Sequence, residues 1–86
     1  MSEKEAPQTR KDILAGALEA REQEVMHYQI NIDNYSIALK KIAEMSPSDQ
    51  TELSAFADQL RTLLAAERLE QKKAKLMLAV LHEQVG

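Results

Sequence analysis

The feature that most constrains the fold is one interruption near the middle of the chain, Ser46-Pro47-Ser48-Asp49. A serine cap, a proline at the first helical position and an acid shortly after it form the usual start of a helix. On both sides the chain favours helix, because its 86 residues include only two glycines and two prolines. Two helices with so short a connection must lie antiparallel. The sequence therefore predicts a helical hairpin that folds about Ser46.

The predicted boundaries follow from local signals. Residues 1–9 are polar, contain a proline and show no periodicity, so we expect a flexible N-terminal tail. Thr9-Arg10-Lys11-Asp12 fits a capping box, which places the start of the first helix at residue 10. We predict helices over 10–45 and 47–84, together forming a single hairpin over 10–86.

Composition excludes several classes of protein. The length allows one small domain, and the lack of cysteine excludes disulfides, thiolate catalysis and thiolate-bound metals. No apolar run approaches the roughly 20 residues that a membrane-spanning helix needs, and no signal-peptide pattern opens the chain. We therefore expect an all-α protein of the cytoplasm.

Both predicted helices carry a stripe in which spacings of four and three alternate, the pattern of a coiled-coil seam. In the first helix the seam comprises Leu14, Leu18, Arg21, Val25, Tyr28, Ile32, Tyr35, Leu39 and Ile42. In the second it comprises Leu53, Ala57, Leu60, Leu64, Glu67, Gln71, Ala74, Leu78 and Leu81. The stripes predict an antiparallel, coiled-coil-like pairing of the two helices.

Folding about Ser46 also predicts the register of this pairing. Leu39 would face Leu53, and each further seam residue would face the next one along the other helix. Arg21 then lies one turn from Glu67, so we expect an ion pair between them. Such a pair would fix the register more than it would stabilise the hairpin.

A second set of large apolar residues lies roughly opposite the seam, at about 100° per residue. This set consists of Met26, Ile30 and Ile37 on the first helix and Leu69, Leu76 and Val80 on the second. Between Val25 and Leu39 the only charge is Asp33. Scattered surface residues, self-association and a docking surface for another protein are the three interpretations. Self-association into a dimeric four-helix bundle is favoured, since a lone helix pair buries little apolar area.

Uncharged polar side chains form a row along one edge of the first helix: His27, Asn31 and Asn34. Such groups can supply hydrogen bonds to an interface without adding charge. An ordinary polar helix face explains them at least as well.

A metal site is the less favoured reading of Glu24 and His27, whose spacing is that used by carboxylate di-iron bundles. In a homodimer, Glu67 or Glu70 could supply the remaining carboxylates. The helical angles argue against it, because His27 would point far away from the seam. We expect no metal and no other cofactor.

Nucleic-acid binding is the other alternative, because four basic residues share one side of the second helix. They are Arg61, Arg68, Lys72 and Lys75. Helical-hairpin dimers that bind RNA exist, but this is an analogy of fold only. The formal net charge of −3 opposes binding to phosphate.

No glycine-rich phosphate loop or nucleophile–base set is present, so catalysis has no support. We predict a small non-enzymatic protein-binding factor, such as an adaptor, a chaperone-like factor or an inhibitor. Its partners would be a second copy of itself and another protein, bound through apolar helix faces.

Overall fold

The structure, a computed structural model, describes residues 9–86 and consists of three helices. These are α1 (Arg10–Ala43), α2 (Pro47–Glu52) and α3 (Ser54–Val85). Helix α3 packs against α1 along its length, which confirms the predicted all-α hairpin. The predicted tail lies, except for Thr9, outside the described residues.

Both predicted helix starts have the expected caps. The Thr9 hydroxyl accepts a hydrogen bond from the Asp12 amide (3.2 Å), and the Asp12 carboxylate accepts one from the Thr9 amide (3.4 Å). At the second start, the Ser46 hydroxyl accepts from the Asp49 amide (3.2 Å), with Pro47 in the first turn. These bonds satisfy amides that no helical carbonyl can reach.

The second predicted helix is not continuous, because it is interrupted at Leu53 (φ −98°, ψ 7°). Hydrogen bonding still crosses the interruption: the Leu53 amide donates to the Asp49 carbonyl (3.0 Å) and the Ala57 amide to the Leu53 carbonyl (2.8 Å). The interruption is therefore a bend that separates the first turns, α2, from the long α3.

A side chain in α2 joins this short helix to the end of α1. Gln50 Nε2 donates to the carbonyl of Met45 (2.9 Å) and to that of Ala43 (3.2 Å). Helix α1 ends at Ala43, two residues before the predicted end. The last carbonyls of a helix have no amide partner within the helix, and the side-chain amide of Gln50 supplies one here. Because α2 is bonded to the end of α1, it belongs to the turn.

All eighteen predicted seam residues are buried or half-buried. All residues of α3 outside the seam are exposed, with the exception of Glu70. The sequence pattern therefore identified the faces along which the two helices pack.

The predicted register is wrong by one seam position. Glu67 was expected to face Val25, but it accepts a hydrogen bond from Asn31 Nδ2, which lies nearer the turn. Farther along, Gln71 Nε2 donates to the Val25 carbonyl (3.3 Å), which fits the same shift. The reason is that α2 is part of the turn, so the chain uses more residues to reverse direction than a fold about Ser46 allows.

The buried core extends along the seam to Ile32, Leu64 and Ala74, and it is most contiguous at the turn end of the hairpin. Ile42, Ala57 and Leu60 form its buried cluster. The molecule measures 67 × 30 × 16 Å and has a radius of gyration of 20.0 Å, against roughly 12 Å for a compact domain of this length. It is one layer of helices, and among residues 9–86 no helix is long and apolar enough to cross a membrane.

Candidate interaction surface

The six apolar residues predicted to lie opposite the seam are all exposed, by between 40% and 64% of their surface. We call Met26, Ile30 and Ile37 the α1 row, and Leu69, Leu76 and Val80 the α3 row. Because each row lies opposite the seam of its own helix, the two rows face away from each other at the two edges of the hairpin.

The α1 row lies in a weakly charged part of the surface. The one charged residue between Val25 and Leu39 is Asp33, whose carboxylate accepts a hydrogen bond from Gln29 Nε2 (2.9 Å). A shallow depression beside the row is lined by Glu19, Glu22, Gln23, Met26, His27 and Ile30. All six lining residues belong to α1, so the depression is an open helix surface that another helix can cover.

Polar residues interrupt the seam near its middle, with Gln71 at the centre of this polar layer. Gln71 is only 8% exposed, and its Nε2 donates to the carbonyl of Val25 and to Oε1 of Gln29 (2.9 Å). A buried amide that makes these bonds loses little on leaving water. The hydrogen bonds link α3 to α1 at one height along the hairpin.

The expected ion pair between Arg21 and Glu67 does not form. Arg21 instead binds Glu24 on its own helix (2.7 Å), and Glu67 accepts a hydrogen bond from Asn31 Nδ2. The shifted register is the reason, because it brings Asn31 within reach of Glu67.

The polar row of α1 is thereby divided. The side chain of Asn31 is half-buried and belongs to the polar layer, whereas His27 and Asn34 are exposed. A partner can therefore reach His27 and Asn34 directly, while Asn31 serves the pairing of the helices within the hairpin.

Tyr28 lies in the seam close to three carboxylates. Burial raises the pKa of its phenol above the ordinary value, and the negative charges of Glu24, Glu70 and Glu67 raise it further, whereas Arg21 lowers it. The folded hairpin thus favours the neutral phenol.

We expect this preference to appear as alkaline sensitivity. A group with a raised folded pKa contributes stability that is complete below its unfolded pKa, about 10 for tyrosine, and is lost as pH rises through the folded value. In a Tyr35→Phe background, an absorbance titration should place the phenol pKa above 10, and Glu70→Gln should lower it. A pKa at or below that of free tyrosine would contradict this description of the site.

Within one copy of residues 9–86, the four residues of the metal alternative do not form a site. Within residues 9–86, no group of three or more histidine and acidic side chains is placed to hold a metal ion. Glu24 binds Arg21, Glu70 binds Lys73 (2.9 Å), and Glu67 binds Asn31. His27 lines the depression beside the α1 row.

The basic side of α3 is exposed throughout. This side comprises Arg61, Arg68, Lys72 and Lys75. Arg61 binds Asp58 on the same helix (2.7 Å), which offsets one of the four charges. The remaining three could contact an anionic partner.

Helix α3 carries another exposed apolar set, which was not among the residues predicted from the sequence. Phe56, Leu63 and Met77 are exposed by 39% to 49% and recur at multiples of seven residues, so they share one side of the helix. They lie beside the seam, not opposite it. The spacing of seven was the signal that could have identified them.

Comparisons of the chain with models of protein families, with curated protein sequences and with solved structures give no match. The functional interpretation therefore rests on the geometry of the residues themselves.

Proposed function

We propose that this chain is a non-enzymatic protein-binding factor, acting as an adaptor, a chaperone-like factor or an inhibitor. The hairpin would present its α1 row and α3 row to apolar helices of other chains. Self-association belongs to this proposal, and the smallest assembly would be a dimer of four helices, the four-helix bundle expected from the sequence. The proposed place of action is the cytoplasm.

The observation that carries the proposal is the exposure of the two rows. Scattered exposed apolar residues are common on proteins, but contiguous sets mark interaction surfaces. Here the exposed residues are spaced along one face of each helix, as helices that bind other helices arrange them. The α1 row also lies in a stretch with a single charge, so a partner need desolvate little charge to cover it.

The shape of the hairpin supports the same function. A single-layer hairpin has one apolar seam, and small domains of this size gain only a few kcal/mol from one core. Covering a row with a partner helix would add buried apolar area at about 25 cal/mol per Å². Binding would therefore also stabilise the fold.

We predict that Ile30→Asp weakens binding to the partner by about tenfold or more, as loss of a central apolar contact does. The matched control is Ile13→Asp, the same change at an exposed position of α1 outside both rows. Binding is measured by affinity purification from host extract with mass spectrometry and confirmed by reciprocal purification of the identified protein. Equal binding by the two variants would show that the α1 row is not the partner site.

Nucleic-acid binding is the second candidate, and the exposed basic side of α3 is the observation that favours it. Retention of RNA or DNA that decreases with salt and disappears on replacing Arg68 and Lys72 would support this candidate over protein binding. The net charge of −3 makes it the weaker of the two.

A further inference from the structure

The two apolar rows have matching patterns once the charged residue inside each is included. Along α1 the order is Met26, Ile30, Asp33, Ile37, with spacings of four, three and four. Along α3 the order is Leu69, Lys73, Leu76, Val80, with the same spacings. Each row therefore presents three apolar residues and one charge, and the charges have opposite sign.

The position of the charge within each row determines which pairing is compatible. If α1 of one copy runs antiparallel to α3 of another, the layers are Met26 with Val80, Ile30 with Leu76, Asp33 with Lys73, and Ile37 with Leu69. Acid then meets base, and every other layer is apolar. A parallel alignment of the same rows would instead set Asp33 against Leu76.

Pairing like rows is less favourable in either direction. An antiparallel pair of α1 rows sets Asp33 against Ile30, and an antiparallel pair of α3 rows sets Lys73 against Leu76. Parallel pairs set like charges against each other. A charge that faces an apolar residue or a like charge costs free energy, and proteins use such costs to select partners.

Within one molecule, the two charges are available for this contact. Asp33 accepts a hydrogen bond from Gln29 (2.9 Å), and Lys73 donates to Glu70 (2.9 Å), each on its own helix. Exposed pairs of this kind contribute little free energy. Breaking them to form an ion pair between copies, flanked by apolar layers, therefore costs little free energy.

We propose that the occupant of the α1 row is a second copy of this chain, which packs its α3 row antiparallel against it. The inference rests on the proposed function, since it names the chain that covers the apolar rows. The contact is head to tail, so two copies lie side by side and do not close into a four-helix bundle. The first copy keeps a free α3 row and the second a free α1 row, where another protein can bind. Such contacts add further copies until a ring closes or a filament forms.

The register within the hairpin sets the offset between neighbouring copies. Inside one molecule Val25 lies beside Gln71, as their hydrogen bond shows. Between copies Met26 pairs with Val80, about ten residues farther along α3. Successive hairpins are therefore staggered by roughly 15 Å along the helix axis, at 1.5 Å per residue.

The experiment is a charge exchange followed by sedimentation velocity over a range of protein concentrations. The variants are Asp33→Lys, Lys73→Asp and the combination of both, with circular dichroism to verify their helix content. We expect the wild-type chain to assemble and each single variant to lose about tenfold or more in association constant. The double variant should regain assembly.

Mixing provides the sharper test. Equal amounts of the two single variants should assemble together although each associates weakly alone, because every contact between unlike variants again pairs acid with base. If the wild-type chain assembles but neither the double variant nor the mixture regains assembly, the proposed pairing is overturned. Single variants that assemble as well as the wild type would overturn it also.

A monomeric wild-type chain at every concentration would also overturn this inference. It would also remove self-association from the proposed function, but binding to another protein would stand if Ile30→Asp still loses the host partner and Ile13→Asp retains it. If Ile30→Asp still assembles and still binds the partner, the proposed function is contradicted instead. The two failures are therefore distinguishable.

Discussion

Leu64→Ala should lower the free energy of unfolding by about 3 kcal/mol, the usual cost of replacing a buried leucine by alanine. Leu64 is 8% exposed and lies in the seam, and Ile32 in the opposing seam is 7% exposed. Because total stabilities of small domains are only about 5 kcal/mol, this loss should remove about half or more of the free energy of unfolding. Urea denaturation followed by far-ultraviolet circular dichroism measures the change.

The matched control is Leu63→Ala, the same substitution at the neighbouring position of α3. Leu63 is 39% exposed, so its replacement should cost clearly less, on the order of 1 kcal/mol. Both measurements belong at one low protein concentration, so that assembly contributes equally. Comparable losses for the two variants would show that α3 packs on α1 along a different face.

Gln71→Glu is expected to be the other strongly destabilising change, although the two side chains have nearly the same shape. The amide of Gln71 donates to the Val25 carbonyl and to Gln29 Oε1. A carboxylate cannot donate, so it would meet two acceptors at close range inside the seam. Burying such an uncompensated charge costs about 3 kcal/mol. Urea denaturation at neutral pH measures the loss, and Gln59→Glu on the exposed part of α3 is the control.

The destabilisation by Gln71→Glu should depend on pH in a defined direction. Burial beside acceptors raises the folded pKa of the introduced carboxyl above its unfolded value of about 4.3. The penalty is complete above the folded pKa and disappears as pH falls below the unfolded one, because the protonated acid can donate again. Stability of this variant relative to the control should therefore rise between pH 7 and pH 4. A constant difference over that range would contradict the buried position of Gln71.

The pairing faces could be predicted from sequence because a heptad pattern is a direct consequence of helix geometry. The register could not, because it depends on how the chain turns. Gln50, which bonds to carbonyls at the end of α1, makes α2 part of the turn and shifts the seam by one position. No local propensity of Gln50 predicts that contact.

The same distinction applies to the candidate surface. Helical angles alone placed the α1 and α3 rows on the outside, where the structure has them. Asn31 shares one edge of the helix with His27 and Asn34, so helical angles predict a single polar row. The Asn31 amide instead binds Glu67. That bond forms only in the observed register. Because the predicted turn was too short, the predicted contacts of the polar layer were wrong as well. Residues beside the seam, such as Leu63, belong neither to the seam nor to the positions opposite it, so neither stripe predicts them.

The uneven placement of the core along the hairpin has a consequence for its motions. The buried apolar cluster lies near the turn, whereas Leu14 and Leu78 near the chain ends are only half-buried. Arg10 and Gln84 join the open end by an exposed hydrogen bond (3.0 Å). Local opening thus costs least at the ends and most at the turn. We therefore expect the backbone amides at the open end of the hairpin to exchange with solvent faster than those at the turn.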